Sequence, residues 1–259
     1  MPVSSLVRQH GLAAFFVGAI GLGSLATAVA SLFPATRKLL PVVALPVSYV
    51  PAAAAVAVVH IADDPVARAA LMRRVTTLGN DRRWYGVALV ALPLVHVAGV
   101  GLAARGGGRL PVHARAATLL PLFLLTSAGE EVGWRGYALP ALQERHGLFT
   151  AAVIVGLGWA AFHSADLLTN SDAPIAYVAT SAFLFTGLSV IIAYVFDASD
   201  QAVPVAILMH AAYNTVSVGV MPLAETKTPL RALAMTAAVA WVAALGIAAA
   251  RRGGDVEEA

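Results

Sequence analysis

Three short patterns of polar residues interrupt otherwise apolar stretches: Glu130-Glu131-Val132-Gly133-Trp134-Arg135, Trp159-Ala160-Ala161-Phe162-His163 and His210-Ala211-Ala212-Tyr213-Asn214. Their side chains are those that amide hydrolysis uses: a base to deprotonate water, donors to hold the oxyanion, and a cation to fix a carboxylate. On a helix, residues four apart share a face. Glu131 and Arg135 are therefore placed to pair, His210 and Asn214 to point into one cavity, and Trp159 and His163 to lie together. Glu130 is rotated by about 100° from Glu131 and faces a different neighbour.

Each pattern alone has a plainer reading. A lone intramembrane histidine is commonly a helix–helix hydrogen-bonding group. Glu131 with Arg135 also fits a purely structural buried pair, and Trp134 and Trp159 read as packing residues or interface anchors. His60, His96 and His113 have no polar companion at helical spacing and receive no role; His10 and His146 read as loop residues. Asp166, Asp172, Asp197 and Asp200 read as solvated loop charges. What raises the three patterns above these readings is their joint occurrence in one short apolar chain.

The elements that must carry them are membrane spans. Of 259 residues, 59% are hydrophobic and 12% charged, with a mean hydropathy of +0.79. Soluble domains carry about 25% charged residues, and a chain this short cannot hide so much apolar surface in one aqueous core. Spans of roughly 20 apolar residues are expected at Gly11–Phe33, Leu39–Ile61 (kinked or shortened by Pro41, Pro46 and Pro51), Trp84–Ala104, Arg115–Leu142, Leu148–Ala165, Pro174–Phe196, Val203–Met221 and Leu230–Ala250. The fold class is thus all-α, a polytopic membrane bundle of about eight transmembrane helices forming one domain over 1–259, with the motifs in a core of about 115–221. The longest connection, Ala62 to Arg83, reads as a surface-lying segment. Ala28-Val29-Ala30 fits a signal-cleavage pattern, but an apolar run of about 20 residues exceeds a usual signal core, so the first segment is read as a span.

Cysteine is absent, which removes disulfides, thiolate ligands and a thiol nucleophile. The pI of about 9.5 does not argue for nucleic acid, because the arginines sit in short runs flanking apolar segments. Arg outnumbers Lys 15 to 2, which hints at a GC-rich bacterial genome. With eight spans, one side holds nine cations (Arg8, Arg68, Arg73, Arg74, Arg82, Arg83, Arg145, Arg251, Arg252) and the other seven (Arg37, Lys38, Arg105, Arg109, Arg115, Lys227, Arg231). Both termini are therefore expected in the cytoplasm, in a multi-pass protein of the cytoplasmic membrane.

Depth offers a further check. If the chain reverses near Arg145 to Leu148, Glu130 and His163 both lie roughly 22 Å up neighbouring antiparallel helices at 1.5 Å per residue. His210 lies roughly 10 Å deep from the same side and Asn214 a turn deeper, a difference that tilt and a kink at Pro140 can close.

At these residues the chain resembles the CPBP family of intramembrane peptidases, which includes the type II CAAX prenyl endopeptidases, abortive-infection-type proteins and bacteriocin-immunity proteins. Its pattern is Glu-Glu-x-x-x-Arg, then Phe-x-x-x-His, then His-x-x-x-Asn or a variant. Glu130, Glu131 and Arg135 match the first motif, with Gly136 as its usual continuation; His163 matches the second, with Trp159 where Phe is usual; His210 and Asn214 match the third. The motifs cover roughly a third of the chain. Both the residues and the resemblance imply an intramembrane endopeptidase: Glu130 the general base, His163 polarising the same water, His210 and Asn214 donors to the oxyanion, and Arg135 holding Glu131. The expected partners are a protein or peptide substrate and the lipid bilayer, with no nucleic acid. Two histidines and a glutamate also form a known catalytic zinc set, so Glu130, His163 and His210 are the candidate metal ligands. The same residues suit a metal-free, glutamate-dependent hydrolysis, and the sequence leaves that choice open. The competing functions are a non-catalytic immunity or scaffold protein of the same fold and a proton-coupled transporter; the intact motifs argue against the first, and the lack of an internal repeat against the second.

Overall fold

The computed structural model describes residues 3–31, 45–105, 110–170, 175–226 and 228–257, and among them every regular element is helical. The helices are α1 (Val3–Ser31), α2 (Val50–Ile61), α3 (Pro65–Thr76), α4 (Arg83–Ala104), α5 (Leu120–Gly133), α6 (Leu139–Asn170), α7 (Ile175–Ala198), α8 (Val203–Asn214) and α9 (Pro229–Glu257). Six helical runs are long and apolar enough to cross a membrane, one of them the 51-residue run Ala114–Ser164. That run breaks at Gly147, whose φ of 73° is a left-handed conformation that glycine adopts without a Cβ clash. The two arms return side by side, with Trp134 packing edge-on against Phe162 and Trp159 reaching Glu130. Counting both arms and the shorter apolar helix Leu45–Ile61 gives eight apolar segments among the described residues. The chain is a polytopic helical membrane bundle. Phe33, Leu39, Pro41 and Pro174, at expected span ends or kinks, lie outside the described residues, as do Arg37, Lys38, Arg109, Asp172 and Lys227.

Two features of α5 decide where its polar face points. Gly129 and Gly133, one turn apart, let the backbone of the short segment approach closely: a Cβ at either would sit 2.5 Å from the Ser48 carbonyl oxygen or the Pro51 carbonyl carbon. Small residues at this spacing are what allow two membrane helices to close up. At its end α5 passes into a π-turn, Trp134–Ala138. The cause is local. Pro140 has no N–H, so the carbonyl of Gly136 loses its partner four residues on, and Arg74 Nη1 donates to that carbonyl at 3.2 Å instead. The expected kink at Pro140 thus takes the form of a wide turn just before it.

The expected surface segment is α3. Asp64 caps it, accepting from the backbone N–H of Val66 and Ala67 at 3.0 and 2.9 Å, and Pro65 occupies the first helical position. Only Leu71 on α3 is buried, against Gly136. Arg73 and Arg74 then tie α3 to the α7–α8 turn through Asp200 and Gln201.

One expectation is overturned nearby. Asp197 is no solvated loop charge: its side chain is 12% exposed, accepts from Gln143 Nε2 at 2.8 Å and meets Arg251 at 2.6 Å. It pins the end of α7 to α9 and to the first arm of α6. Asp200, paired with Arg73 at 3.4 Å, stays exposed, and the side chain of Asp166 lies outside the described residues.

Candidate functional site

Three helices bring the polar patterns together. α5 carries Glu130 and Glu131, the second arm of α6 carries Trp159 and His163, and α8 carries His210 and Asn214. Arg135 follows on the π-turn.

Glu131 and Arg135 are completely buried and pair at 2.9 Å through Arg135 Nη1 and Glu131 Oε1. His210 Nδ1 lies 2.9 Å from that same oxygen. A carboxylate already accepting from a guanidinium is ionised and can only accept, so Nδ1 of His210 carries the proton. In neutral His210, Nε2 is then a bare acceptor; it becomes a donor only as an imidazolium. This amends the simple expectation of His210 as an oxyanion donor. His163 is oriented in the same way. Its Nδ1 donates to the Trp159 carbonyl at 3.0 Å, leaving Nε2 bare and 4.0 Å from Glu130 Oε2.

Glu130, on the adjoining face, is 6% exposed. Its Oε2 accepts from the Trp159 indole N–H at 2.7 Å. The Trp159 ring also meets His210 and His163 edge-on, with centroids 5.0 and 5.8 Å away, and the Arg135 Cζ stands 5.3 Å from its centroid. Trp159 touches Glu130, Arg135, His163 and His210, so it is more than the packing residue or anchor read from its type. The signal that could have found it is the substitution of Trp for Phe one turn before His163, which adds a donor at a position that otherwise has none.

Asn214 ends α8 one turn beyond His210, is half-buried, and its side chain makes no hydrogen bond to another described residue. A second π-turn, Thr215–Val220, follows it, closed by the Met221 N–H donating to the Val216 carbonyl at 2.6 Å. Two histidines read as lacking companions hold this end in place. His96, fully buried, donates from Nε2 to the Met221 carbonyl at 2.9 Å, and His113 Nε2 lies 2.7 Å from Glu225 Oε2. Neither contact is visible at helical spacing, because the partners are more than a hundred residues away.

The arrangement can deprotonate a water and donate to a developing oxyanion. Among the described residues, no three His, Asp or Glu side chains are grouped so that they could hold a metal ion. His210 Nδ1 faces Glu131 rather than Glu130, so the Nε2 atoms of His210 and His163 are the ring nitrogens left free.

Residues 112–216, which hold all three motifs, match the Rce1-like family, described as type II CAAX prenyl endopeptidase Rce1-like. A 54-residue stretch is 41% identical to a CAAX prenyl protease 2 of Methanococcus maripaludis, covering 21% of this chain and 20% of that protein. The chain thus matches about a fifth of this relative's length.

Proposed function

Because the chain belongs, through residues 112–216, to the CPBP family of intramembrane peptidases, we propose that it hydrolyses a peptide bond of a protein or peptide substrate near the membrane surface, with Glu130 activating the water. The observation that supports this most is the environment of Glu130. It is a nearly buried carboxylate with one oxygen held by Trp159, a bare imidazole nitrogen of His163 4.0 Å away, and the His210 and Asn214 helix alongside.

In the proposed reaction, water enters beside Glu130 and His163 and gives its proton to the free oxygen Oε1 of Glu130. The hydroxide attacks the scissile carbonyl carbon, and the carbonyl π pair moves to oxygen. Asn214 Nδ2 and His210, as an imidazolium donating from Nε2, hold the oxyanion. When the tetrahedral intermediate collapses, the C–N bond breaks and its electron pair goes to nitrogen, which takes the proton that Glu130 gained. Glu131 acts at one remove: it sets which nitrogen of His210 faces the substrate, as Arg135 holds Glu131. In this reading the protein sits in the cytoplasmic membrane with both termini inside. No metal is assigned a step.

The test is substrate trapping. Glu130→Gln keeps shape and removes the base, so it should retain substrate that the wild type releases as two fragments, to be identified by mass spectrometry. A Glu130→Gln protein that still cleaves the trapped partner would refute the role of Glu130.

A further inference from the structure

We infer that Trp159 is a positioning residue whose indole N–H holds Glu130 on the His163 side of the site and keeps it from closing onto Arg135. The inference rests on the reading of Glu130 as the group that activates water.

The competition is set by what surrounds Glu130. Arg135 is fully buried and has satisfied only Nη1; its Nε and Nη2 have no hydrogen-bond partner. The guanidinium lies in the field of Glu130 as well as Glu131. Buried donors without acceptors are costly, and a carboxylate fits a guanidinium fork with two parallel hydrogen bonds. If Glu130 turned to Arg135, both its oxygens would be engaged and neither would be free to take a proton from water. Trp159 contacts both groups. Its ring lies against Arg135, and its Nε1–H holds Glu130 Oε2 at 2.7 Å. One carboxylate oxygen is thereby fixed, and the other is left for water. His163, whose Nδ1 is bonded to the Trp159 carbonyl, is positioned by the same residue.

Trp159→Phe isolates the contribution of the N–H, because Phe keeps an aromatic face toward Arg135 and has no donor. The chain has four tryptophans, so the detergent-solubilised full-length protein labelled with 15N-indole should give four indole N–H signals, and Trp159→Phe identifies one of them. In Glu130→Gln that signal should move upfield as the charged acceptor is lost, with the other three unmoved. With a fluorogenic prenylated CAAX-type peptide as the probe, Trp159→Phe should lower kcat about tenfold, with KM and melting temperature unchanged. An indole signal indifferent to Glu130→Gln, or a Trp159→Phe enzyme with wild-type kcat, overturns the inference. Failure of the wild type to cleave the probe counts against the peptidase reading instead, and the indole signal still decides whether Trp159 holds Glu130.

Discussion

At the residue scale, the site separates groups proposed to act on water from groups that hold them. Glu130→Ala, His163→Ala and His210→Ala should each abolish cleavage of a trapped substrate while the protein still inserts. A double variant should be little worse than a single one, because groups that act as a unit are not additive. Arg135 belongs to the other class. Removing it leaves Glu131 buried with only His210, at a cost of about 3–5 kcal/mol, so Arg135→Ala should lower the melting temperature in detergent, whereas Glu130→Gln should not. Arg135→Lys restores charge without the planar fork and should fall between. An Arg135→Ala protein that melts like the wild type and loses only activity would move Arg135 into the substrate-binding machinery. The Glu131–Arg135 pair was legible because a spacing of four on a helix is a contact in itself. Trp159 was not, since its donor meets Glu130 only when two arms pack in one particular rotation, and sequence spacing within either arm carries no trace of that. Asp197 was misread for the same reason: its partners Gln143 and Arg251 come from two other helices.

At the scale of elements, backbone contact does work that side-chain chemistry does not reveal. The Gly129–Gly133 face of α5 accepts the backbone at Ser48 and Pro51, which fixes the rotation of α5 and so the direction of Glu130 and Glu131. Gly129→Val should force the two segments apart, at about 1–3 kcal/mol, and lower both folded yield and activity. Gly101, on α4, has nothing within 4 Å of the place a Cβ would occupy. Gly101→Ala should be neutral or raise the melting temperature slightly. Equal melts for the two variants would mean that the close approach at Gly129 does not set the fold. The spans themselves were readable from apolar length, with the limits of α4, of α7, and of α8 taken together with the π-turn that continues it to Val220 falling within a few residues of those expected. The two π-turns were not, although Pro140 marked the place of the first. A missing N–H announces a broken ladder without saying how the freed carbonyl is satisfied, and here the answer, Arg74, lies on a different helix.

At the scale of the whole molecule, most cations among the described residues lie at or near helix ends, with Arg135 set apart in the interior. Five of the nine cations on the predicted inner side lie between Arg68 and Arg83, on and beside α3. Reporter fusions placed after Arg83 and after Arg252 should therefore both report cytoplasm. A periplasmic signal at either point overturns the orientation and puts the basic α3 on the outer face.

The buried trio of Glu131, Arg135 and His210 also bears on how the chain is made. α5 and the turn after it bring three charged residues, Glu130, Glu131 and Arg135, to the translocon within six positions. At a helix centre such residues each cost about 2.5–3.5 kcal/mol on insertion scales. Arg135 offsets part of this at once, being on the same helix as Glu131, but His210 is 79 residues further along the chain. A nascent chain ending before α8 thus holds a segment poorly suited to leave the translocon alone. Its hairpin is expected to wait beside the channel, or to be bound by an insertion chaperone, until His210 has been synthesised. Arrested chains of increasing length should become resistant to extraction only once they extend past Asn214.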